Sequence, residues 1–296
     1  MGRIQRIFWV LIIIPGLFSR GQRDYLKKYA EDYSLRRIRF AEVLPEKIGN
    51  INLFVTPDYE AMSRLAADRL AGRMQGIISQ KGKVVVCLAT GGTMERLYEI
   101  LRTEYKDKID WSKVVTFNLD EYVGLKPDNV NSYRYYMDTN LFNHVGINKK
   151  NIHFLNGMAT DLDKAARDYE EEIKSAGGID IMLLGIGRNG HIAFNMPGSD
   201  FYSRTRVVEL DEMTRQDNAR FFNGDINRVP KQALTVGMAT ITESREILLL
   251  ASGEAKKEII YNTIFGPCVR ENPASILQWH NNTTFILDQL AFAKRD

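Results

Sequence analysis

The stretch that most limits what this chain can fold into runs from Ile179 to Asn195, Ile-Asp-Ile-Met-Leu-Leu-Gly-Ile-Gly-Arg-Asn-Gly-His-Ile-Ala-Phe-Asn. It opens as an apolar run, the kind of strand that a parallel sheet buries on both faces. It then breaks into a turn holding Gly185, Gly187 and Gly190 within six residues, and a histidine follows at once. In open α/β sheets, ligands bind at the carboxyl ends of the strands. Such a strand delivers Asn189 and His191 to the mouth of a pocket. The alternative is a glycine-rich connector with an ordinary surface histidine, and this stretch alone leaves both open.

Two more strand-to-helix turns carry the same outline. Lys83 to Ala89 is strongly apolar, runs into Thr90-Gly91-Gly92-Thr93, and is followed by Met94, Leu97, Tyr98 and Leu101 at helical spacing. Backbone amides at a helix N-terminus suit an anion, and glycines let a ligand approach closely. The spacing matches neither a P-loop nor a dinucleotide fingerprint. The other reading is a tight turn with Thr93 as N-cap. Glu246 to Ala251 is the last strong buried run, and it meets Ser252-Gly253-Glu254-Ala255-Lys256. A lysine in a first helical turn opposes the helix dipole. A bound anion explains Lys256, as does an exposed lysine that tolerates the position.

The remaining elements alternate. Ile51 to Val55 reads as a strand, and Pro57 opens a helix with Met62, Leu65, Ala66, Leu70 and Met74. Val114 to Leu119 is a strand ending in Asp120-Glu121-Tyr122. Carboxylates at the end of a buried strand are costly unless they work or pair. Helices are expected from Asn131 to Leu141, from Asp161 to about Gly177, and from Asp211 to Phe222. Strands are expected at Asn151–Leu155, Thr205–Leu210 and Gln232–Val236, with late, edge-like strands at Ser275–Leu277 and Thr284–Leu287. The fold class is α/β: a mostly parallel sheet with helices on both faces.

A net charge of +3, with both signs interspersed, gives no nucleic-acid surface. Cys87 and Cys268 form neither a disulfide framework nor zinc spacing, which fits a reducing, cytoplasmic setting. Ile7 to Ile14 is continuously apolar, preceded by Arg3 and Arg6 and followed by Pro15-Gly16. It is short for a membrane span, which needs about 20 apolar residues. It reads as a weak export signal, a membrane-proximal anchor, or an addition to the folded protein, with no stable membrane insertion expected. The folded domain is expected to start at Ile51, and the three readings of the apolar stretch stay open at this point.

The whole set resembles the glucosamine-6-phosphate deaminase (isomerase) family, related to the 6-phosphogluconolactonases. Ala89–Thr93, Val115–Leu125, Gly187–Asn195, Asn218–Phe222 and Val229–Gly237 carry the resemblance. The lactonases share the histidine loop but lack the Phe-Asn-Leu-Asp-Glu-Tyr block. The resemblance implies a modified Rossmann-type fold. It also implies an aldose–ketose isomerisation of a small sugar phosphate with loss of ammonia, needing no metal and no cofactor. Asp120 matches the base that moves a proton between C1 and C2, and His191 the residue that assists ring opening. Gly91, Gly92, Thr93, Arg220 and Lys256 match sugar and phosphate contacts. Family members usually begin near the equivalent of Ile51, so the resemblance makes residues 1–50 an extension, with an apolar segment and a charged helix, and residues 51–296 the sugar-phosphate isomerase/deaminase domain. Relatives are often oligomeric, which makes a homo-oligomer an option for which this sequence offers no readable interface.

Two residues depart from the family pattern. Asn189 and Met196 stand where it has aspartate and glutamate, the two carboxylates flanking the histidine. His191 is therefore expected to be less basic and less firmly held, which weakens ring opening or shifts the substrate. A sugar-phosphate-binding protein with little catalysis is the alternative class.

Overall fold

The computed structural model describes residues 45–292. The apolar run Ile7–Ile14 and most of the expected charged helix lie outside the described residues. Within them, strand β1 (Pro45–Ile48) pairs antiparallel with β2 (Ile51–Thr56), Ile48 opposite Ile51. The charged helix expected within residues 1–50 therefore gives way to a strand before Ile51, and the sheet starts upstream of that residue. The two-residue turn Gly49-Asn50, with Gly49 at φ 57°, makes the hairpin.

Helix α1 (Tyr59–Lys81) begins where Asp58 accepts the Ala61 amide at 2.8 Å and ends at Gly82 in the left-handed region. Strand β3 (Val84–Leu88) leads through a 3-10 turn (Gly92–Met94) into α2 (Glu95–Glu104). Next come β4 (Val114–Asn118), β5 (Asp120–Tyr122), α3 (Tyr133–Asn140), α4 (Leu162–Ala176) and β6 (Ile181–Leu184). Then follow β7 (Arg206–Glu209), α5 (Glu212–Asn218), β8 (Gln232–Thr235), α6 (Met238–Thr242), β9 (Glu246–Ala251), α7 (Lys257–Phe265) and β10 (Thr283–Asp288).

Seven strands form the main sheet in the order β1-β2-β10-β9-β6-β3-β4, all parallel except β1. The fold class is the α/β sheet with surrounding helices that the apolar runs indicated. Every residue of β3, β6, β9 and β10 is buried. Parallel strands covered on both faces need that composition.

Three expectations fail for identifiable reasons. Thr283–Asp288 is no edge strand but lies between β2 and β9; its threonines are buried within the sheet, so a polar start did not mean an exposed one. Ser275–Leu277 is not a strand but part of a 3-10 helix (Pro273–Trp279). There Ser275 Oγ donates to the Asn272 carbonyl at 2.6 Å, a local bond that competes with a ladder. Asn151–Leu155 makes one bridge, Ile152 to Thr116, and no strand; His153 instead stacks on Phe117 at 4.5 Å.

A second, antiparallel sheet, β5-β8-β7, was not expected. It pairs Asp120 with Thr235 and Arg206 with Thr235, and it stands beside its own small apolar cluster of Tyr122, Phe194, Leu210 and Phe222. The small sheet turns the chain out of the main sheet immediately after β4. That puts Asp120 at the cleft rather than within the parallel ladder.

Candidate active site

The carboxyl ends of three adjacent strands, β9, β6 and β3, open onto one cleft of about 280 Å³. Gly91, Gly92, Thr93, Asp120, His191, Arg220 and Lys256 all line it. Residues from five separated parts of the sequence thus meet in one place. Asn189 stands behind His191 rather than at the cleft surface.

The turn after β3 is held from outside. The Tyr136 hydroxyl donates to the Gly91 carbonyl at 3.0 Å and the Tyr59 hydroxyl to the Gly92 carbonyl at 2.9 Å. Gly91 has φ 101°, which only glycine adopts readily, and a Cβ there would meet nothing within 4 Å. The position is special in backbone shape, not in crowding. Thr93 is not the N-cap: that place is Gly91, and Thr93 sits inside the 3-10 turn with its side chain at the cleft. The first amides of such a helical run have no carbonyl of their own to bond. The turn after β9 repeats the shape, with Gly253 at φ 90°, but Asp288 accepts the Gly253 amide at 3.1 Å. What this second turn offers the cleft is Lys256. Half-buried and near Arg188 and Arg220, its ammonium is pushed down to about 8, burial being the larger cause. Arg220 lies over the Phe221 ring at 4.7 Å.

The adjacent carboxylates of β5 have different fates. Glu121 accepts the amides of Tyr122 at 2.9 Å, Tyr133 at 3.0 Å and Arg134 at 2.9 Å. It therefore staples β5 to the N-terminus of α3, and its pKa rises only to about 6 because those bonds oppose burial. Asp120 is 7 % exposed, and no donor among the described residues reaches its carboxylate. Burial, with Glu121 beside it, pushes it up to about 8. Of the two costly carboxylates, Glu121 pairs and Asp120 is left available to a ligand.

The histidine loop is tightly specified. A Cβ on Gly187 would lie 2.1 Å from the His191 ring, so glycine there is what lets the imidazole fold back over the turn. The Phe194 amide donates to Thr235 Oγ1 at 3.0 Å and Asn195 Nδ2 to the Val236 carbonyl at 2.9 Å, fastening the loop to β8. Ala193, just before these anchors, takes φ 51°. His191 Nδ1 lies 2.7 Å from Asn189 Oδ1, which also accepts the His191 amide at 3.2 Å. Because Oδ1 faces a backbone donor, it is the amide's acceptor end, and Nδ1 must carry the ring proton. Nε2 is then bare. Burial, then the Lys256 charge, pushes the imidazole down to about 4, while Asp211 and Asp217 pull the other way. Burial and Lys256, and not the exchange of carboxylates for Asn189 and Met196, lower its basicity, and the ring is firmly hydrogen-bonded where a loosely held one was expected.

Other contributors were not singled out from sequence. Tyr122 is buried, and its hydroxyl accepts from Asn218 Nδ2 at 2.9 Å and from Tyr133 at 3.3 Å. Asp217 lines the cleft and pairs with Arg188. Tyr122 and Asn218 fall inside the quoted motifs; Asp217 and Tyr133 carried no signal of their own. Among the described residues no cluster suited to a metal ion occurs, and no helix is long and apolar enough to cross a membrane.

Fold and cleft together define an α/β protein whose cleft sets two cationic side chains beside a buried acid and an imidazole. Residues 57–286 match the family described as glucosamine-6-phosphate isomerases/6-phosphogluconolactonase. A glucosamine-6-phosphate deaminase of Oceanobacillus iheyensis is 49 % identical over 242 residues, 81 % of this chain and 95 % of that one. One from Giardia intestinalis is 49 % identical over 223 residues, 75 % and 84 % of the two chains. A solved monomeric glucosamine-6-phosphate deaminase superposes with a TM-score of 0.77 at 42 % identity, covering 81 % and 98 %. A 6-phosphogluconolactonase from Thermotoga maritima shares the fold, with a TM-score of 0.65 at 20 % identity over 81 % and 100 %. The chain belongs to the glucosamine-6-phosphate isomerase/6-phosphogluconolactonase family.

Proposed function

We propose that this protein converts glucosamine 6-phosphate to the corresponding ketose phosphate and ammonia. The observation that carries the reading is the unpartnered, buried Asp120 in a cleft that also presents Lys256, Arg220 and the Gly91-Gly92 turn. The phosphate is held by Lys256, Arg220 and the amides heading the turn after β3. His191 Nε2, free of a proton, takes the proton of the anomeric hydroxyl as the C1–O5 bond breaks, and returns it to O5. Asp120, ionised, removes the C2 proton of the open aldehyde and delivers it to C1, while O1 gains the proton that the amino group gives up. The C2 centre becomes an imine; water adds there, the C–N bond breaks, and ammonia leaves with the ketose formed.

The 42 % to 49 % identity to proteins named glucosamine-6-phosphate deaminases supports this assignment over lactone hydrolysis. A protein that only bound the sugar phosphate would have no use for an unpaired buried carboxylate. The test is ammonia release from glucosamine 6-phosphate beside calorimetric binding of the same compound. Both are expected; binding without ammonia overturns the reading.

A further inference from the structure

Asn189 has two ends, and the structure uses both. Its Oδ1 accepts from His191 Nδ1 at 2.7 Å, and its Nδ2 donates to Asp211 Oδ2 at 3.3 Å. Asp211 lies 22 residues further along the chain, as the N-cap of α5, where its other oxygen accepts the Thr214 amide at 2.7 Å. Met196 contributes only a sulfur 4.0 Å from Asn189 Nδ2. A neutral amide can turn over by half a rotation, and in that orientation it would offer NH2 to the ring and favour the opposite tautomer. The His191 backbone amide opposes the turn at the ring end, and the carboxylate opposes it at the far end, because it accepts and cannot donate.

We propose that Asp211 is a positioning residue which, through Asn189, locks His191 in the Nδ1-protonated tautomer and keeps Nε2 bare toward the cleft. The relay His191–Asn189–Asp211 moves the negative charge one residue away from the ring and retains its orienting role. It has a consequence that opposes the simplest repair. Replacing Asn189 by aspartate alone sets two carboxylates face to face across the present 3.3 Å contact, a like-charge pair that cannot comfortably stay ionised.

The inference rests on the reading of His191 as the ring-opening base, but its direct test does not need turnover. Asp211→Asn preserves the N-cap, since asparagine caps as well as aspartate. With its oxygen still on Thr214, the new amide points NH2 at Asn189 and favours the turn-over against the hold of the His191 amide. Nitrogen-15 spectra of labelled histidine in the full chain distinguish the protonated from the bare ring nitrogen. The unaltered protein is expected to show Nδ1–H at His191, and Asp211→Asn to shift it toward Nε2–H. The double change Asp211→Asn with Asn189→Asp, which reverses the relay without repulsion, is expected to restore Nδ1–H. Ammonia release is expected to fall at least about tenfold in the single variant and to recover in the double. Should Asp211→Asn fail to fold, Asp211→Ser also caps and removes the distant acceptor, and a mixture of tautomers is expected. An unchanged Nδ1–H in the folded single variants overturns the inference, as does a double variant that stays at Nε2–H. Absence of ammonia from every variant, with the tautomers moving as stated, would instead overturn the functional reading alone.

Discussion

Asp120 on β5 and His191 after β6 line one cleft, and burial is the main force on both. It acts with opposite sign. Burial disfavours whichever form is charged, so the carboxylic acid is pushed up to about 8 and the imidazole down to about 4. Their supports differ as well. Asp120 has no donor among the described residues, while His191 is fixed by Asn189 and, behind it, by Asp211. In the proposed reaction these are two ways of preparing a proton carrier. One group is left in want of a partner that the substrate must supply. The other has its proton assigned in advance by a hydrogen-bond chain.

The largest expected effect removes the first group. Asp120→Asn should lower turnover by about 10²–10⁴-fold, the usual worth of a positioned acid or base. It should also stabilise the protein at high pH. The raised pKa means that the folded state binds the Asp120 proton more tightly than the unfolded chain. The stability this contributes is fully present below the ordinary carboxylate value of 3.8 and is lost as pH rises to about 8. Thermal melts should therefore show Asp120→Asn above the parent at pH 8 and converging with it toward pH 4. A variant that melts lower at pH 8 would mean that Asp120 is paired rather than strained.

Disturbing the support of the second group should cost somewhat less. Gly187→Ala places a methyl where the imidazole lies, so the ring must move. A misplacement of about 1 Å can cost about 10²-fold in rate, and turnover should fall by that order while glucosamine 6-phosphate still binds. Equal turnover would show that the ring position is not critical.

The smallest of these effects lies in the anion site. Lys256→Ala removes one charged hydrogen bond, worth about 1.5–3 kcal/mol, or roughly 10- to 150-fold in KM. The effect should fade above about pH 8, where Lys256 itself loses its proton. A change confined to kcat would place Lys256 at the reacting carbons instead of the phosphate.

Much of this arrangement was legible in the sequence, because its causes are local. Val84–Leu88, Ile181–Leu184 and Glu246–Ala251 read as buried strands because parallel strands need nearly continuous apolar runs. Their glycine turns marked the cleft, and the motif residues Gly91, Gly92, Thr93, Asp120, His191, Arg220 and Lys256 all meet there. What stayed hidden depends on pairings remote along the chain. Nothing local shows that Thr283–Asp288 slips between β2 and β9, or that β5, β7 and β8 leave the main sheet. Asn189 looked like a lost carboxylate because the aspartate that completes it stands at position 211, as an ordinary helix cap.

The central claim is that a carboxyl group held up by burial must ionise before it can work. The pH dependence of kcat/KM for glucosamine 6-phosphate tests this most directly. As Asp120 ionises, kcat/KM is expected to climb with pH toward about 8, and to decline beyond it as Lys256 discharges. A flat profile from pH 8 down to the ordinary carboxylate range would contradict it, for Asp120 would then be ionised throughout and its burial would have no part in the reaction.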